Sequence, residues 1–234
     1  MAAMTASLRH LIQRVESTPE PLVVRCDDGA PFAGPVVVLP SAFNPPTRAH
    51  IHLLETAARS LEATPAALLT TKNVAKEAHG ADHLQRVEML LAACRSLPRL
   101  AVLVSNQARI IDQAAVLSAA FPLAEFAMVV GYDTLVRLFD PMYYADMEAE
   151  LGLFFAAHRL VATNRAEHGI DEVEAYLASV PAAFQGRILA LAIDDHHASL
   201  SSTAARGHAA QGVDSHALLP EVAEYVRRHR LYRE

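Results

Sequence analysis

The sequence of 234 residues lacks the features that would mark a membrane protein or a nucleic-acid-binding protein. None of its apolar stretches approaches the roughly 20 residues that a membrane helix needs, so no membrane partner is predicted. Its net charge is −6, so it has no globally basic surface to attract nucleic acid, and no nucleic-acid partner is predicted. Any site for a phosphate must therefore be local.

Cysteine and lysine are both rare. The two cysteines, Cys26 and Cys94, are far apart and lack the spacing of a metal site, which excludes a disulfide framework and indicates free thiols. A reducing compartment follows, so a cytoplasmic localisation is predicted. The only two lysines, Lys72 and Lys76, both fall in a loop over residues 71–81, which singles that loop out.

The first 30 residues carry a weaker pattern. Apolar residues at helical spacing alternate with two arginines, as an organelle transit peptide would also show. Glu16 and Glu20 follow closely, however, and favour an amphipathic helix packed on the domain, followed by an edge strand over residues 22–24. The predicted organisation is an N-terminal helix and edge extension over residues 1–30 and one domain over residues 31–234.

Strand and helix patterns alternate along residues 31–234 with short breaks. Strands are predicted over residues 36–39, 66–70, 100–104, 126–130, 160–162 and 188–193. Helices are predicted over residues 45–61, 83–97, 110–120, 133–139, 144–156, 171–179 and 220–231. This order is typical of βαβ units, so the predicted fold class is α/β, with a doubly wound, mostly parallel sheet in a single domain.

One motif, Phe43 to His50, directly follows the buried-strand pattern Val36–Leu39. A strand therefore ends in a tight turn that opens a helix. Asn44 suits an N-cap and proline suits the first helical position, so the helix is predicted to begin at Pro45 or Pro46.

Two side chains of this motif point to phosphate chemistry. Thr47 and His50 are three residues apart, so they share one face of the helix and lean back over the turn. A phosphate bound by the first-turn N–H groups would meet a hydroxyl and an imidazole together. A histidine that merely packs under the loop is the alternative, and the combination of strand, cap and prolines favours a functional role.

A second motif near the other end of the chain follows the same logic. Ser201, Ser202 and Thr203 come after the last predicted strand and would N-cap a short helix that ends near Gly212. Arg206 lies within reach of an anion at that cap, and its guanidinium matches phosphate oxygens in two places. Alone, this pattern also fits an ordinary capped helix, but it gains weight as a partner to the first motif.

Both motifs resemble the nucleotidyltransferase superfamily (cytidylyltransferase-like) that includes nicotinamide and nicotinate mononucleotide adenylyltransferases. That family shows Gly-Ser-Phe-(Asp/Asn)-Pro, then (Thr/His)-x-x-His, a Gly-x-Asp, and later Ser-Ser-Thr-x-x-Arg. The matching stretches occur in the expected order over about residues 35–234: Phe43 to Pro45, Thr47 to His50, Gly131 to Asp133, and Ser201 to Arg206. A Rossmann-like fold is what this resemblance implies.

The resemblance also implies a reaction, in which a mononucleotide phosphate attacks the α-phosphorus of ATP and pyrophosphate leaves. The implied catalytic residues are His50, Thr47 and Arg206. The implied ATP-binding residues are Phe43, Asn44, His50, Gly131, Asp133, Ser202, Thr203 and Arg206. The expected partners are ATP and a small phosphorylated acceptor, and Mg²⁺ is the expected cofactor, held mainly by the ATP phosphates. The oligomeric state stays open, and a homo-oligomer is one option.

The acceptor side is predicted from a different set of residues. Ser41 and Ala42 stand where the family usually has Gly-Ser, while Lys76 and Arg86 follow the second strand at the same edge of the sheet. Ala42 offers no hydroxyl, and Ser41 is less free than glycine in a tight turn. The chain also has no tryptophan, although several relatives stack the pyridine ring on one.

These departures keep other functions open. The acceptor could be phosphopantetheine with ATP, or a phosphoalcohol with CTP, under the same chemistry. A nucleotide-binding regulator that has lost catalysis would also explain the altered turn. The run from Asp194 to His197 suggests a metal site, but its place just before Ser201 favours a polar loop, so no metal-binding side chains are predicted.

Overall fold

The computed structural model describes residues 2–72, 80–164 and 168–233. Its centre is a seven-stranded sheet in the order β1-β4-β3-β2-β5-β6-β7, in which β1 is antiparallel to β4 and every other neighbouring pair is parallel. The strands are Val23–Arg25 (β1), Gly34–Ser41 (β2), Thr64–Thr70 (β3), Ala101–Ser105 (β4), Ala124–Gly131 (β5), Arg159–Thr163 (β6) and Ile188–Leu191 (β7). This confirms the predicted Rossmann-like α/β class.

Eleven α-helices connect and cover the strands within the described part of the chain. They are Ala2–Ser17 (α1), Arg48–Ser60 (α2), His83–Ala93 (α3), Ile110–Ala120 (α4), Tyr132–Leu138 (α5), Met147–Ala157 (α6), Ile170–Ser179 (α7), Ala182–Gln185 (α8), Asp195–Ala198 (α9), Ser202–Ala210 (α10) and Pro220–Arg228 (α11). A single 3-10 turn, Pro141–Tyr143, separates α5 from α6.

Alternate residues of the central strands bury themselves on opposite faces of the sheet. On β2, Val37 and Leu39 pack with α1, α2, α3, α10 and α11, whereas Val36 and Val38 pack with α4 to α8. Both faces of the sheet are therefore covered by helices. For this reason the sequence of β2 is a continuous apolar run and does not alternate between apolar and polar residues.

The order of the strands fixes where a ligand can bind. From β2 the chain passes to β3 and β4 on one side, and then returns to β5 on the other side of β2. The direction of winding reverses between β2 and β5, and a crevice opens there at the carboxyl ends of the strands. Ser41 ends β2 and Gly131 ends β5, so both border this crevice.

Several element boundaries differ from the sequence prediction, and three of these differences have a local cause. Helix α2 begins at Arg48 with Thr47 as its N-cap, not at Pro45 or Pro46 with Asn44 as cap. A residue before proline is disfavoured in helical backbone, so the consecutive prolines delay the start of the helix. Helix α6 begins at residue 147 because Asp146 caps it, and α3 stops at residue 93, ahead of a proline at residue 98.

The N-terminal segment is built into the same core. Helix α1 buries Leu8, Ile12 and Val15 against the layer that contains α3, and β1 extends the edge of the sheet beside β4. In the described part of the chain, no helix combines the length and the apolar character that crossing a membrane requires.

His158 gives the fold a dependence on pH that can be measured. The side chain is 6% exposed at the end of α6, and within the described residues its Nδ1 has no hydrogen-bond partner. Burial lowers the pKa of His158, so the folded chain binds fewer protons here than the unfolded chain does. The contribution is therefore present above the unfolded pKa of about 6.5 and is lost as the pH falls below it.

We expect the His158→Phe variant to lose less stability than the wild type between about pH 7 and pH 5. Phenylalanine fits beside Phe154, whose ring centroid lies 5.4 Å from that of His158. Urea unfolding at several pH values measures the difference. Identical slopes of unfolding free energy against pH in the two proteins would contradict this assignment.

Candidate active site

A cavity of about 210 Å³ lies at the crevice between β2 and β5. It is bordered by the strand ends, by α2 and α5, and by the segment around α9. Its polar lining comes from Ser41, His50, Asp133, Thr134, Arg137, Thr163, Asn164 and His197. The predicted histidine and the predicted Gly-x-Asp stretch therefore meet at one cavity, although they are far apart in the sequence.

The contacts of His50 fix which ring nitrogen carries the proton. The backbone N–H of Thr47 lies 3.0 Å from Nδ1, and the Thr47 hydroxyl oxygen lies 2.7 Å from the same atom. A backbone N–H can only donate, so Nδ1 accepts and the proton of the neutral ring is on Nε2. Nε2 lies 3.3 Å from the hydroxyl oxygen of Ser41 at the cavity. His50 can therefore present an N–H donor to a ligand oxygen.

Thr47 orients this histidine. Its side chain is fully buried, and its hydroxyl is hydrogen-bonded to His50 in this structure. Direct contact between Thr47 and a phosphate stays a prediction. The first-turn N–H of Arg48 donates to the carbonyl oxygen of Ala217 at 2.8 Å. That group is therefore occupied by the protein itself, which narrows the first-turn donors left for a phosphate.

We expect Thr47→Val to lower the free energy of unfolding by about 1 kcal/mol, because a fully buried hydroxyl that bonds to Nδ1 of His50 is lost. Thr47→Ser keeps the hydroxyl and is the matched control, with a smaller loss. Urea denaturation measures both variants. Equal losses in the two variants would contradict this assignment, because Thr47→Ser keeps the hydroxyl and Thr47→Val does not.

The start of α10 packs against the loop that precedes α2. Ser201 caps α10 as predicted, since its Oγ accepts from the N–H of Ala204 at 3.1 Å. The Ser202 hydroxyl donates to the carbonyl oxygen of Pro45 at 2.8 Å, and Arg206 Nη1 donates to that of Asn44 at 2.7 Å. The two motifs, separated by about 150 residues, are thus joined by direct hydrogen bonds.

The guanidinium of Arg206 has more N–H donors than its two described hydrogen bonds use. It is half-buried, and besides Asn44 it donates through Nη2 to the Thr203 hydroxyl at 3.2 Å. A guanidinium has five N–H donors, so further N–H groups can meet an anion. Thr203 is exposed at the start of α10. The predicted contacts of these side chains with ATP stay predictions.

Arg86 is buried beside the loop between β2 and α2. It is 2% exposed, its Nε donates to the carbonyl oxygen of Ala81 at 2.8 Å, and its Nη1 lies 3.4 Å from that of Ala42. Burial lowers the pKa of Arg86, and the neighbouring charge of Arg206 lowers it further. Contact between Arg86 and an acceptor phosphate stays a prediction, and Lys76 lies outside the described residues.

Tyr232 was not predicted as a site residue. Its hydroxyl donates to Oδ1 of Asn44 at 2.8 Å, and burial raises the pKa of Tyr232, so the phenol stays a donor. Gly80 packs against the same ring, since a Cβ at that glycine would lie 2.6 Å from Tyr232 Cε1. The C-terminal segment therefore anchors the loop between β2 and α2, and no local sequence pattern indicates that contact.

The altered turn at Ser41 and Ala42 is compatible with its backbone. The left-handed residue of this turn is Phe43, with φ at 43°, while neither Ser41 nor Ala42 has a positive φ. Glycine is therefore not required at position 41. Phe43 is 1% exposed and its ring centroid lies 5.1 Å from that of His50, so it packs beneath the histidine.

A second cavity, of about 400 Å³, adjoins the first. The two share lining residues at the end of β2 and on α4 and α5: Pro40, Ser41, Ile110, Thr134 and Arg137. The second cavity extends past Ala42 and Lys72 to Arg109 and Tyr144. Ser41 borders both cavities and Ala42 borders the second, and their place beside the acceptor stays a prediction.

Arg137 was missed by the sequence analysis and borders both cavities. It lies one turn after Asp133 on α5, its Nε donates to the Asp133 carbonyl oxygen at 3.3 Å, and it is exposed. A cation four residues after the Gly-x-Asp stretch was the available signal. Gly131 is the N-cap of α5 and the exposed Asp133 lies in its first turn. Both line the first cavity, and their contacts with ATP stay predictions.

This geometry agrees with the family comparison. The model of the family described as cytidylyltransferase-like matches residues 38–207, from β2 into α10, and so includes both helix beginnings. The chain belongs to the cytidylyltransferase-like family of nucleotidyltransferases, which confirms the resemblance drawn from the motifs.

Individual relatives are more distant. A Schizosaccharomyces pombe protein, provisionally named nicotinamide mononucleotide adenylyltransferase, is 27% identical over 152 residues, which are 62% of this chain and 60% of the relative. The chain thus spans less than two thirds of that relative's length.

Solved structures share the fold. Plasmodium falciparum nicotinic acid mononucleotide adenylyltransferase complexed with NaAD aligns with a TM-score of 0.63 and 15% identity, over 85% of this chain and 97% of that chain. The same enzyme complexed with APC aligns with a TM-score of 0.62 and 15% identity, over 85% and 96% of the two chains. At this identity the likeness establishes the architecture and no more.

Proposed function

We propose that this protein is an adenylyltransferase that transfers AMP from ATP to a pyridine mononucleotide, forming NAD or its deamido form and releasing pyrophosphate. The observation that carries the proposal is the joining of the two motifs. An imidazole N–H at the β2–β5 crevice and a guanidinium at the start of α10 are linked through one loop, Asn44 to Thr47. The named relatives support the pyridine nucleotide, since each is named for nicotinamide or nicotinic acid mononucleotide.

The chemistry is a direct displacement. An oxygen of the acceptor phosphate forms a bond to the α-phosphorus of ATP, and the bond from that phosphorus to the bridging oxygen of the β-phosphate breaks. The electron pair leaves with pyrophosphate. Such transfers depend on positioning and on neutralising charge rather than on a covalent intermediate.

The side chains suit these tasks. His50 would donate through Nε2 to a nonbridging oxygen of the α-phosphate, because that nitrogen faces the first cavity. Arg206 and the N-terminus of α10 would hold the β- and γ-phosphates that leave. Thr47 would act through His50 rather than on the substrate, because it is buried behind the ring.

Mg²⁺ would be held mainly by the phosphates. In the described part of the chain, the only carboxylate that lines the first cavity is that of Asp133, so the protein itself offers few oxygen ligands there. Mg²⁺ commonly takes its ligands from substrate phosphates, one or two carboxylates and water. Its positive charge would offset charge on the triphosphate during transfer.

The second cavity is the proposed place of the acceptor. It adjoins the first cavity at Ser41, and most of its remaining lining comes from α4, α5 and the tyrosines after α5. Tyr144 offers an aromatic surface there, which suits a planar ring in a chain that has no tryptophan. Arg137 borders both cavities and could reach a phosphate between them.

Pyrophosphate release tests the proposal. The purified chain is incubated with ATP, Mg²⁺ and either nicotinamide or nicotinate mononucleotide, and each component is omitted in turn. We expect release only in the complete mixture, together with a dinucleotide identified by mass spectrometry. Turnover only with phosphopantetheine, or only with CTP and a phosphoalcohol, would reassign the acceptor. Binding of ATP in calorimetry without turnover on any acceptor would indicate a regulatory protein instead.

A further inference from the structure

Three potential metal ligands lie together beside the first cavity. His52 belongs to α2, Asp194 caps α9, and His197 lies within α9. His52 Nε2 lies 3.2 Å from Oδ2 of Asp194, and His197 Nδ1 lies 2.8 Å from the same oxygen. Two imidazole nitrogens from separate elements therefore converge on one carboxylate.

The two imidazole rings of this cluster are stacked. The ring centroids of His52 and His197 are 3.8 Å apart and the planes differ by 9°. One ligand atom from each of the three side chains lies within 4.8 Å of the other two. The side chains are between 25% and 52% exposed, so an ion in solution can reach them.

An ordinary helix cap explains only part of this cluster. Asp194 accepts from the backbone N–H of His197 at 3.0 Å, as an N-cap residue does. That bond requires neither imidazole, and His52 approaches from a helix that lies about 140 residues earlier in the chain. From the sequence, the place of this run just before Ser201 favoured a polar loop, whereas the structure has the short helix α9 there. No local pattern showed that His52 joins Asp194 and His197.

We propose that His52, Asp194 and His197 bind a divalent transition metal ion of the Zn²⁺ class. Two imidazoles and one carboxylate are a ligand set for Zn²⁺, whereas Mg²⁺ prefers oxygen ligands alone. Binding of the ion requires each coordinating nitrogen to be unprotonated, so any proton there is released. Small side-chain movements bring the ligand atoms to about 2.0–2.2 Å, and water completes the coordination.

The ion would connect the two halves of the candidate active site. His52 lies two residues after His50 on α2, and α9 ends three residues before Ser201, the cap of α10. A metal ion bound between α2 and α9 would therefore fix the position of the His50 imidazole relative to the start of α10. Metal binding itself does not depend on the proposed activity; only this positioning role rests on it.

Metal binding is measured on the tag-free full-length chain after treatment with a chelator. We expect one Zn²⁺ per chain in equilibrium dialysis, a rise in the melting temperature with Zn²⁺, and visible absorption bands on binding of Co²⁺. The variants His52→Ala, His197→Ala and Asp194→Asn should each lose at least about 10-fold in affinity. Asp194→Asn keeps an N-cap acceptor, so its fold is preserved.

The control is His196→Ala, which removes an exposed histidine from the same short helix that is not one of the three ligands. Its ring centroid lies 5.3 Å from that of His197, so this variant also shows whether a neighbouring ring matters. It should keep the affinity and stoichiometry of the wild type. Absence of Zn²⁺ binding by the wild type, or ligand variants that all bind Zn²⁺ as tightly as the wild type does, would overturn the proposal. A metal-binding wild type that releases no pyrophosphate would remove the proposed activity and leave the metal site in place.

Discussion

Replacing His50 with alanine is expected to lower kcat for AMP transfer about 100- to 1,000-fold, which corresponds to ~3–4 kcal/mol of transition-state stabilisation. The reason is geometric. The contacts of Thr47 with Nδ1 place the ring proton on Nε2, where it faces the cavity at the ends of β2 and β5. Alanine removes that donor. The initial rate of pyrophosphate release at saturating ATP and acceptor measures the loss.

Two further variants distinguish the loss of the His50 N–H donor from a loss of folded structure. His50→Gln keeps an N–H donor near the position of Nε2, so its rate should lie between those of the wild type and of His50→Ala. His10→Ala, at an exposed site on α1, should leave the rate unchanged. A His50→Ala protein that is folded by circular dichroism and retains the wild-type rate would remove His50 from the mechanism.

Replacing Arg206 with alanine should lower kcat/KM for ATP about 100-fold or more, because a cation beside the leaving phosphates is lost. Arg206→Lys keeps the charge but not the two-pronged guanidinium, so it should recover only part of the activity. Steady-state kinetics with varied ATP measure both effects. Equal kinetics for the lysine and alanine variants would indicate that the charge contributes little.

Arg206 also has a structural role, which its test must separate. Its Nη1 donates to the carbonyl oxygen of Asn44, so its removal frees the loop between β2 and α2. Urea unfolding of the same variants reports that loss, which we expect to be about 1 kcal/mol. Ser202→Ala removes the parallel bond to Pro45 without removing a charge. It should therefore affect stability more than it affects the turnover of ATP.

Much of the fold follows from local patterns in the sequence. The apolar runs and their breaks predict each parallel strand, and α4 begins and ends at its predicted residues. The order of the strands in the sheet does not follow from such patterns, because it depends on which strands pair across long connections. The start of α2 was also misplaced, since the cap preference of Asn44 yields to the two prolines that follow it.

The residues of the candidate site also fall into those that local motifs identify and those that they do not. His50, Thr47 and Arg206 are identifiable because each belongs to a short motif with a physical purpose. Tyr232 and the cluster of His52, Asp194 and His197 are not, because each contact joins segments more than 140 residues apart. Arg86 shows a further limit of prediction from sequence. The sequence places Arg86 near the loop, but it does not show whether the side chain faces the ligand or the core, and the structure has it buried.

The most direct test is a crystal structure of the protein with Mg²⁺ and a non-hydrolysable ATP analogue. We predict a triphosphate between α2 and α10, with oxygens about 2.7–3.2 Å from both His50 Nε2 and the Arg206 guanidinium. Phosphates that bind at only one of these side chains, or at a different edge of the sheet, would contradict the account.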